Sequence, residues 1–297
     1  MAFQKDYKAD HTLSVPKINV GPMRTIAILL TVHDRKKNTM QCLEHLFAQQ
    51  EIQGYRWDVF LTDDGCTDGT PEAVAEQYPS VHIVKGDGSL YWNRGMHKAW
   101  EAAAAKHEYD MYVWLNDDTL LFPDALKKMV EASTLTHHAA VICGATCAKK
   151  SRQVTYSGWS HSSKEPLDPN GTLQPCNIVN GNFLLVPKMI FDSVGNLDRR
   201  FRHAIGDFDY GLRVQKAGFS CFISPQFAGT CEANASLPKW CLTTTPLFKR
   251  FKILYSPLGY AEPVPFFIYE HRHFGLATAV KHFLSINLRA LLPQLWK

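Results

Sequence analysis

The apolar positions begin as unbroken runs and continue as spaced ones. Residues 25–32 form a continuous apolar run between Thr25 and Val32, the pattern of a strand buried on both faces of a sheet. Met40, Leu43, Leu46 and Phe47 then recur at helical spacing and predict a helix over 38–50. A second strand is predicted over 57–62, ending on Asp63, Asp64 and Gly65. Residues 70–77 read as a helix, with Thr70 as its cap and Pro71 at the first helical position. A short third strand over 81–84, an Ala-rich helix over 95–107, a fourth strand over 109–115 and a helix over 123–134 follow. Past about residue 140 the runs shorten. Residues 141–145, 154–158 and 183–186 predict short strands, and 162–175 a loop rich in turn formers. A helix that includes Asp209 and Arg213 runs toward Gly218, which suits a helix stop.

Alternating strands and helices predict an α/β fold: a doubly wound, mostly parallel central sheet with helices on both faces. In such sheets ligands bind outside the carboxyl ends of the strands. All four early strands end in polar clusters there: His33-Asp34-Arg35, Asp63-Asp64, Gly86-Asp87-Gly88 and Asn116-Asp117-Asp118.

The chain's 297 residues suffice for one large α/β domain plus an appendage. A formal net charge of +4 is too mild to imply nucleic acid. Its placement matters more. From Lys239 onward the cations are Lys239, Lys249, Arg250, Lys252, Arg272, Lys281, Arg289 and Lys297, against only Glu262 and Glu270. Aromatics such as Trp240, Phe248, Phe251 and Phe267 are interleaved. This end suits contact with an anionic membrane surface, and equally a helical subdomain packed on the core with its cations solvated. Residues 1–19 have no apolar signal-peptide core. No apolar run reaches the roughly 18 residues that a span needs. The eight cysteines show no zinc-finger spacing. The expectation is a cytoplasmic protein with free thiols, peripheral at the inner face of the plasma membrane if the tail makes that contact.

Asn116-Asp117-Asp118 carries the most chemistry. Adjacent carboxylates at a strand end repel one another and lose solvation. A hard cation would relieve both, and Mg²⁺ commonly takes one or two carboxylates plus substrate phosphates. The competing reading is that Asp118 or Thr119 caps a helix near Pro123. Asp63 can accept from a ribose or a pyrimidine N–H, while Asp68 or Thr70 serves the turn. The Gly86–Gly95 stretch, with Trp92 and Arg94, opens a helix and offers N–H groups to a phosphate. Asp207 stands at the entry of the helix bearing Asp209 and Arg213. There the helix dipole favours the anion and suits a proton acceptor; Asp207 and Asp209 read equally as caps. His203 lies close by.

The motifs and their order then become specific. Thr31-Val32-His33-Asp34-Arg35, Asp63-Asp64-Gly65-Cys66-Thr67-Asp68-Gly69-Thr70, Asn116-Asp117-Asp118, Gly181-Asn182-Phe183-Leu184-Leu185 and Gly206-Asp207-Phe208-Asp209 with Arg213 follow in turn. This resembles the family 2 glycosyltransferases of GT-A fold, and bacterial rhamnosyltransferase-like enzymes of surface-polysaccharide assembly in particular. The resemblance covers about residues 24–235. It implies a lead-in over 1–23 and a GT-A domain over 24–235. That domain divides into a nucleotide-binding half, 24–120, and an acceptor-binding half, 121–235. A basic, aromatic-rich helical extension over 236–297 completes the chain.

The same resemblance implies site roles. Thr31 and Asp63 match positions holding the base and ribose of the donor, with His33, Arg35, Asp64, Trp92, Gly95 and Asp117 as further donor contacts. Asn116-Asp117-Asp118 matches the D-x-D signature with Asn116 in place of its first Asp, which makes Asp118 the ligand of Mg²⁺ or Mn²⁺. Asp207 matches the catalytic base of an E-D-x-D motif, with Gly206 where Glu is usual. His203, Asp209 and Arg213 are the acceptor candidates. Some relatives carry a further metal-binding His after this region, where this chain reads Gly229-Thr230-Cys231-Glu232-Ala233-Asn234 with no His, so metal coordination would rest on one carboxylate, the diphosphate and water. Inverting transfer from a UDP-, dTDP- or GDP-linked sugar to a saccharide or lipid-linked saccharide is implied, with no nucleic acid involved. An Asp of ordinary pKa is expected to serve, since the proton moves late. Two competing classes are a nucleotidyltransferase, which would need a Gly-rich loop in place of His33-Asp34-Arg35-Lys36-Lys37, and a non-catalytic membrane scaffold built on the basic tail.

Overall fold

The computed structural model describes residues 22–160, 165–233 and 237–295. Most of the 1–23 lead-in and part of the 162–175 loop therefore lie outside the described residues. In chain order the elements begin with β1 Arg24–Val32, α1 Lys36–Phe47, β2 Tyr55–Asp63, α2 Thr70–Gln77, β3 His82–Lys85, α3 Tyr91–Lys106, β4 Met111–Leu115, β5 Leu120–Leu121 and α4 Ala125–Leu135. They continue with β6 Ala140–Cys143, β7 Thr146–Cys147, β8 Val154–Tyr156, β9 Gln174–Pro175, β10 Phe183–Pro187, α5 Lys188–Val194, α6 Gly206–Lys216, β11 Ser220–Ile223 and β12 Gly229–Thr230. Three helices close the described chain: α7 Leu247–Leu254, α8 Pro263–Phe274 and α9 Leu276–Leu291.

Eight strands form one sheet in the order β3-β2-β1-β4-β10-β6-β11-β9. The first four are mutually parallel, and β10 runs antiparallel to both β4 and β6. The expected doubly wound, mostly parallel α/β fold is therefore present. The pleat explains why residues 25–32 read as an unbroken apolar run. Ile26, Ile28 and Leu30 pack on one face with Leu43 and Leu46 of α1, Val74 of α2 and Leu126 of α4. Ala27 and Leu29 pack on the other with Met96 and Trp100 of α3, Ile190 of α5 and Tyr210 of α6. Burial on both sides confines the polar residues of β1 to its ends, and the cleft forms at the carboxyl end.

A second, four-stranded sheet has the order β5-β12-β7-β8. Its β5 leaves directly from Asp118, and β12 leads directly into Cys231, with Thr230 paired to Leu120. A Cβ at Gly229 would lie 2.5 Å from the Leu120 carbonyl oxygen, so only glycine permits this approach.

Helix α8 packs on the domain beside α6, and α7 and α9 pack on one another within the extension. Tyr269 joins Phe201, Ile205 and Leu212 in one cluster, and Trp240, Cys241, Leu254 and Ala290 form another.

One detail of α2 differs from expectation. Its cap is Gly69 in the left-handed region, with φ 78°, and Thr70 is already helical. Asp68 takes the capping role, its carboxylate accepting from the Thr70 N–H at 3.0 Å. A left-handed backbone favours glycine over threonine at that junction.

Candidate active site

A cleft of ≈ 950 Å³ opens at the carboxyl ends of the parallel strands. Nine of the expected site residues line it: Thr31, His33, Arg35, Asp64, Trp92, Asp117, Asp118, His203 and Asp207. Asp118 and Asp207 thus face one space, although they belong to different halves of the chain.

Asp64 does more than meet the cleft. Its carboxylate accepts from the N–H groups of Gly88 at 2.9 Å, Leu90 at 3.2 Å and Tyr91 at 2.9 Å. The Leu90 and Tyr91 N–H groups are orphan donors at the start of α3, and Gly88 lies in the turn before it, so a neighbouring strand end caps that helix. His33 Nδ1–H donates to the Asp64 carbonyl at 2.6 Å. Asp63 points elsewhere. It accepts from the Cys66 N–H at 2.8 Å and from Lys85 at 2.9 Å, and does not line the cleft. Burial raises its pKa, but Lys85 and the Cys66 N–H outweigh burial and hold it below the ordinary value. Gly95 is also outside the lining. A Cβ there would meet Thr31 Oγ1 at 2.1 Å, so its place is close packing of α3 on β1.

Arg35 spans the two acidic residues of the rim. Nη1 lies 3.1 Å from Asp117 Oδ1, and Nη2 lies 2.8 Å from Asp118 Oδ2. Asp117 is buried, and burial pushes its carboxyl up to about 7 against the pull of Arg35. Asp118 is the more open carboxylate, 33% exposed. Asn116 is turned away from it. Asn116 Oδ1 accepts from Trp92 Nε1–H at 2.7 Å, while its Nδ2 donates to Asn182 Oδ1 at 2.9 Å. An aspartate could accept from Trp92 but could not donate to Asn182, which accounts for Asn at this position. Asn182 Nδ2 then donates to Cys231 Sγ at 3.3 Å, and Cys231 reaches Asp118 Oδ1 at 3.7 Å. Burial pushes the Cys231 thiol up to about 12, so it remains a neutral donor.

The donor set facing the cleft fits a hard divalent ion bound sparsely. One carboxylate, Asp118, with diphosphate oxygens and water completing the shell, is an ordinary arrangement for Mg²⁺.

Asp207 sits in the first turn of α6. The residue before the helix, Ile205, has φ 75°, which is strained for a β-branched side chain. Asp207 Oδ2 accepts from the Gly181 N–H and Oδ1 from the Phe208 N–H, both at 2.9 Å. Both bonds favour the anion. Burial nevertheless dominates and pushes the carboxyl up to about 6, so the expectation of an ordinary pKa is corrected. Gly206 has a steric cause: a Cβ there would fall 1.7 Å from Asn93 Oδ1. Asn93 is itself fixed, donating to the carbonyls of Asp198 at 2.8 Å and Phe201 at 2.9 Å. No acidic side chain fits at 206 while Asn93 stands there.

Asp209 and Arg213 are not brought to the cleft. Asp209 is fully buried on the far side of α6, paired with Arg213 at 2.8 Å, His273 at 2.9 Å and Arg272. Helical geometry requires this, since two residues along α6 point in widely different directions. His203 does reach the cleft. It lies edge-on to Tyr91 and Tyr260 with ring centroids 6.4 and 5.7 Å away. Burial lowers its pKa, and its Nδ1 has no hydrogen-bond partner among the described residues.

Sequence reading missed Tyr91, Asn180, Leu258, Tyr260 and Phe266, which also line the cleft. Only Tyr91 carries a local signal, a non-glycine φ of 56° beside Gly88, and that signal is visible only in three dimensions.

A family model described as Glycosyl transferase family 2 matches residues 27–195. The chain is 25% identical over 189 residues to an N-acetylglucosaminyl-diphospho-decaprenol L-rhamnosyltransferase of Mycobacterium tuberculosis, covering 54% of this chain and 62% of that protein. The match thus spans less than two thirds of that relative's length. Over 116 residues it is 24% identical to an undecaprenyl-phosphate 4-deoxy-4-formamido-L-arabinose transferase of Salmonella paratyphi A, covering 38% of this chain and 34% of that protein. Among solved structures, residues 1–349 of S. aureus TarS in complex with UDP superpose with TM-score 0.54 at 14% identity, over 84% of this chain and 72% of that one. The mannosyltransferase PcManGT of Pyrobaculum calidifontis, in complex with GDP-Man and Mn²⁺, superposes with TM-score 0.52 at 16% identity, over 89% of this chain and 76% of that one.

Proposed function

The chain belongs to glycosyltransferase family 2, and from that membership we propose that it is an inverting transferase. It moves a hexosyl or rhamnosyl unit from a nucleoside-diphosphate sugar to a hydroxyl of a lipid-linked saccharide, in synthesis of a cell-envelope polysaccharide of capsule or O-antigen type. The observation that carries this reading is the shared cleft of Asp118 and Asp207. The related proteins named for decaprenol- and undecaprenyl-linked substrates support the acceptor class. The division into a donor half, 24–120, and an acceptor half, 121–235, remains part of this proposal. So does a site of action at the cytoplasmic face of a membrane, where a nucleotide-sugar pool and a lipid-linked acceptor meet.

Asp207 accepts the proton of the acceptor hydroxyl as that oxygen bonds to the anomeric carbon. The bond from that carbon to the diphosphate breaks on the opposite side. A carboxyl pushed up to about 6 is a stronger base than an ordinary aspartate, yet still largely ionised at neutral pH. Arg35 offers a guanidinium to the departing diphosphate, a charge that grows as the bond breaks. A divalent ion on Asp118, when bound, adds Lewis-acid charge at the same place. His203, kept neutral by burial, offers a hydrogen bond on the acceptor side.

The test is Asp207→Asn. Transfer falls by at least about a thousandfold, while calorimetric affinity for the donor is retained. Retained turnover would remove Asp207 from its role. Thermal-shift screening of UDP-, dTDP- and GDP-sugars with and without Mn²⁺ identifies the donor.

A further inference from the structure

Sixteen of the twenty exposed large apolar side chains among the described residues lie between Leu237 and Leu295. They are not scattered. At 100° per residue, Leu276, Val280, Leu284, Leu288 and Leu291 fall within about 120° of one another along α9. Leu284 is 62% exposed, and Phe248 of α7 is 84% exposed. Ala279 and Ala290 of α9 are buried instead, so the helix already has its packed side and the leucine row is additional to it. No helix among the described residues is long and apolar enough to cross a membrane, and α9, with 16 residues, is about 24 Å long.

The charges of this region are one-sided. Lys239, Lys249, Lys252, Lys281 and Arg289 are all exposed. The acids are used internally: Glu262 pairs with Arg202, and Glu270 is buried against His282. Among the described residues from 237 to 295, no exposed carboxylate faces solvent.

We propose that the outer face of α7 and α9 seats on an anionic lipid bilayer, with the leucine row at the acyl boundary and the lysines among the headgroups. A second copy of the chain fits less well. A two-fold interface sets this patch against itself, bringing Lys249, Lys252 and Lys281 toward their own copies with no exposed carboxylate among the described residues of the patch. An anionic leaflet answers both the apolar row and the charge. The inference uses none of the cleft's acidic residues and stands independently of the sugar-transfer reading. The same extension supplies Leu258, Tyr260 and Phe266 to the cleft wall, so a seated extension would bring the cleft near the lipid surface.

Co-sedimentation of the full chain with vesicles tests this directly. The wild type binds vesicles of phosphatidylcholine mixed with phosphatidylglycerol and binds pure phosphatidylcholine weakly. The triple variant Lys249→Glu, Lys252→Glu, Lys281→Glu lowers affinity for the anionic vesicles by about a hundredfold. Leu284→Glu with Leu288→Glu abolishes binding, whereas Leu135→Glu, an exposed leucine on α4, leaves it unchanged. Circular dichroism and Tm confirm that each variant is folded, as substitutions at exposed positions should be. Absence of wild-type binding overturns the proposal. So does a stable solution dimer that the leucine variants dissociate, since that outcome assigns the face to a second copy.

Discussion

At the scale of single residues, two opposing effects act on Asp207. The helix N-terminus favours its anion by about 0.3–1 kcal/mol, and burial opposes this and prevails, raising the pKa from 3.8 to about 6. Between those values the folded state binds the proton more tightly than the unfolded one. Stability therefore falls as pH rises through that window and stays lower above it. Asp207→Asn should raise stability at pH 7.5 by up to about 2 kcal/mol, after discounting for the side open to solvent. Thermal unfolding at pH 7.5 and pH 4 checks this: the gain is present at the first and nearly gone at the second. In the active protein kcat/KM should fall as pH drops through about 6.

Arg35 gives a second residue-scale prediction. Its guanidinium pairs with Asp118, the carboxylate proposed above to take a divalent ion, and would compete with that ion for it. Arg35→Met should raise the Mn²⁺ affinity of the donor-free protein several-fold in calorimetry; an unchanged affinity argues against competition. Much at this scale was legible in the sequence, because Asp118 and Asp207 stand in motifs. The division of labour between Asp63 and Asp64 was not. It depends on Lys85 and on the start of α3, which a local window does not connect to either carboxylate.

Among elements, strongly patterned segments read well and their ends did not. Helix α3 begins at Tyr91 rather than 95, because the Asp64 carboxylate satisfies its first N–H groups from another strand end. The strand over 25–32 was clear because pleating buries every position on one face or the other. Helix α6 illustrates the opposite case. Its Asp209 was read as a site residue, yet it holds α6 to α8 through Arg272 and His273. Removing one partner of a buried charge typically costs 3–5 kcal/mol. Arg272→Met should cost less, about 2 kcal/mol, because Arg213 and His273 remain on Asp209. Denaturant unfolding measures it, and an unchanged midpoint would show that the pair with Asp209 contributes nothing.

For the whole molecule, the early alternation of strand and helix forecast the parallel half of the sheet, whereas the reversal at β10 had no signature in periodicity. Short apolar strands look alike in either direction. That reversal decides where the loop 180–182 lies. Phe183 pairs with Leu115, so β10 starts where β4 ends, and the Asn116 N–H donates to the Asn182 carbonyl at 2.9 Å. A wholly parallel arrangement would deliver this loop to the opposite edge, far from Asp118. The catalytic layout is consequently sensitive to strand phase. One extra residue inside 183–187 would rotate Asn182 out of its chain of contacts and move the Gly181 N–H off Asp207. The same insertion near Gly171, where a Cβ would meet nothing within 4 Å, should be tolerated. Donor affinity and transfer rate measured for the two insertions would separate a molecule timed by its sheet from one that merely tolerates it.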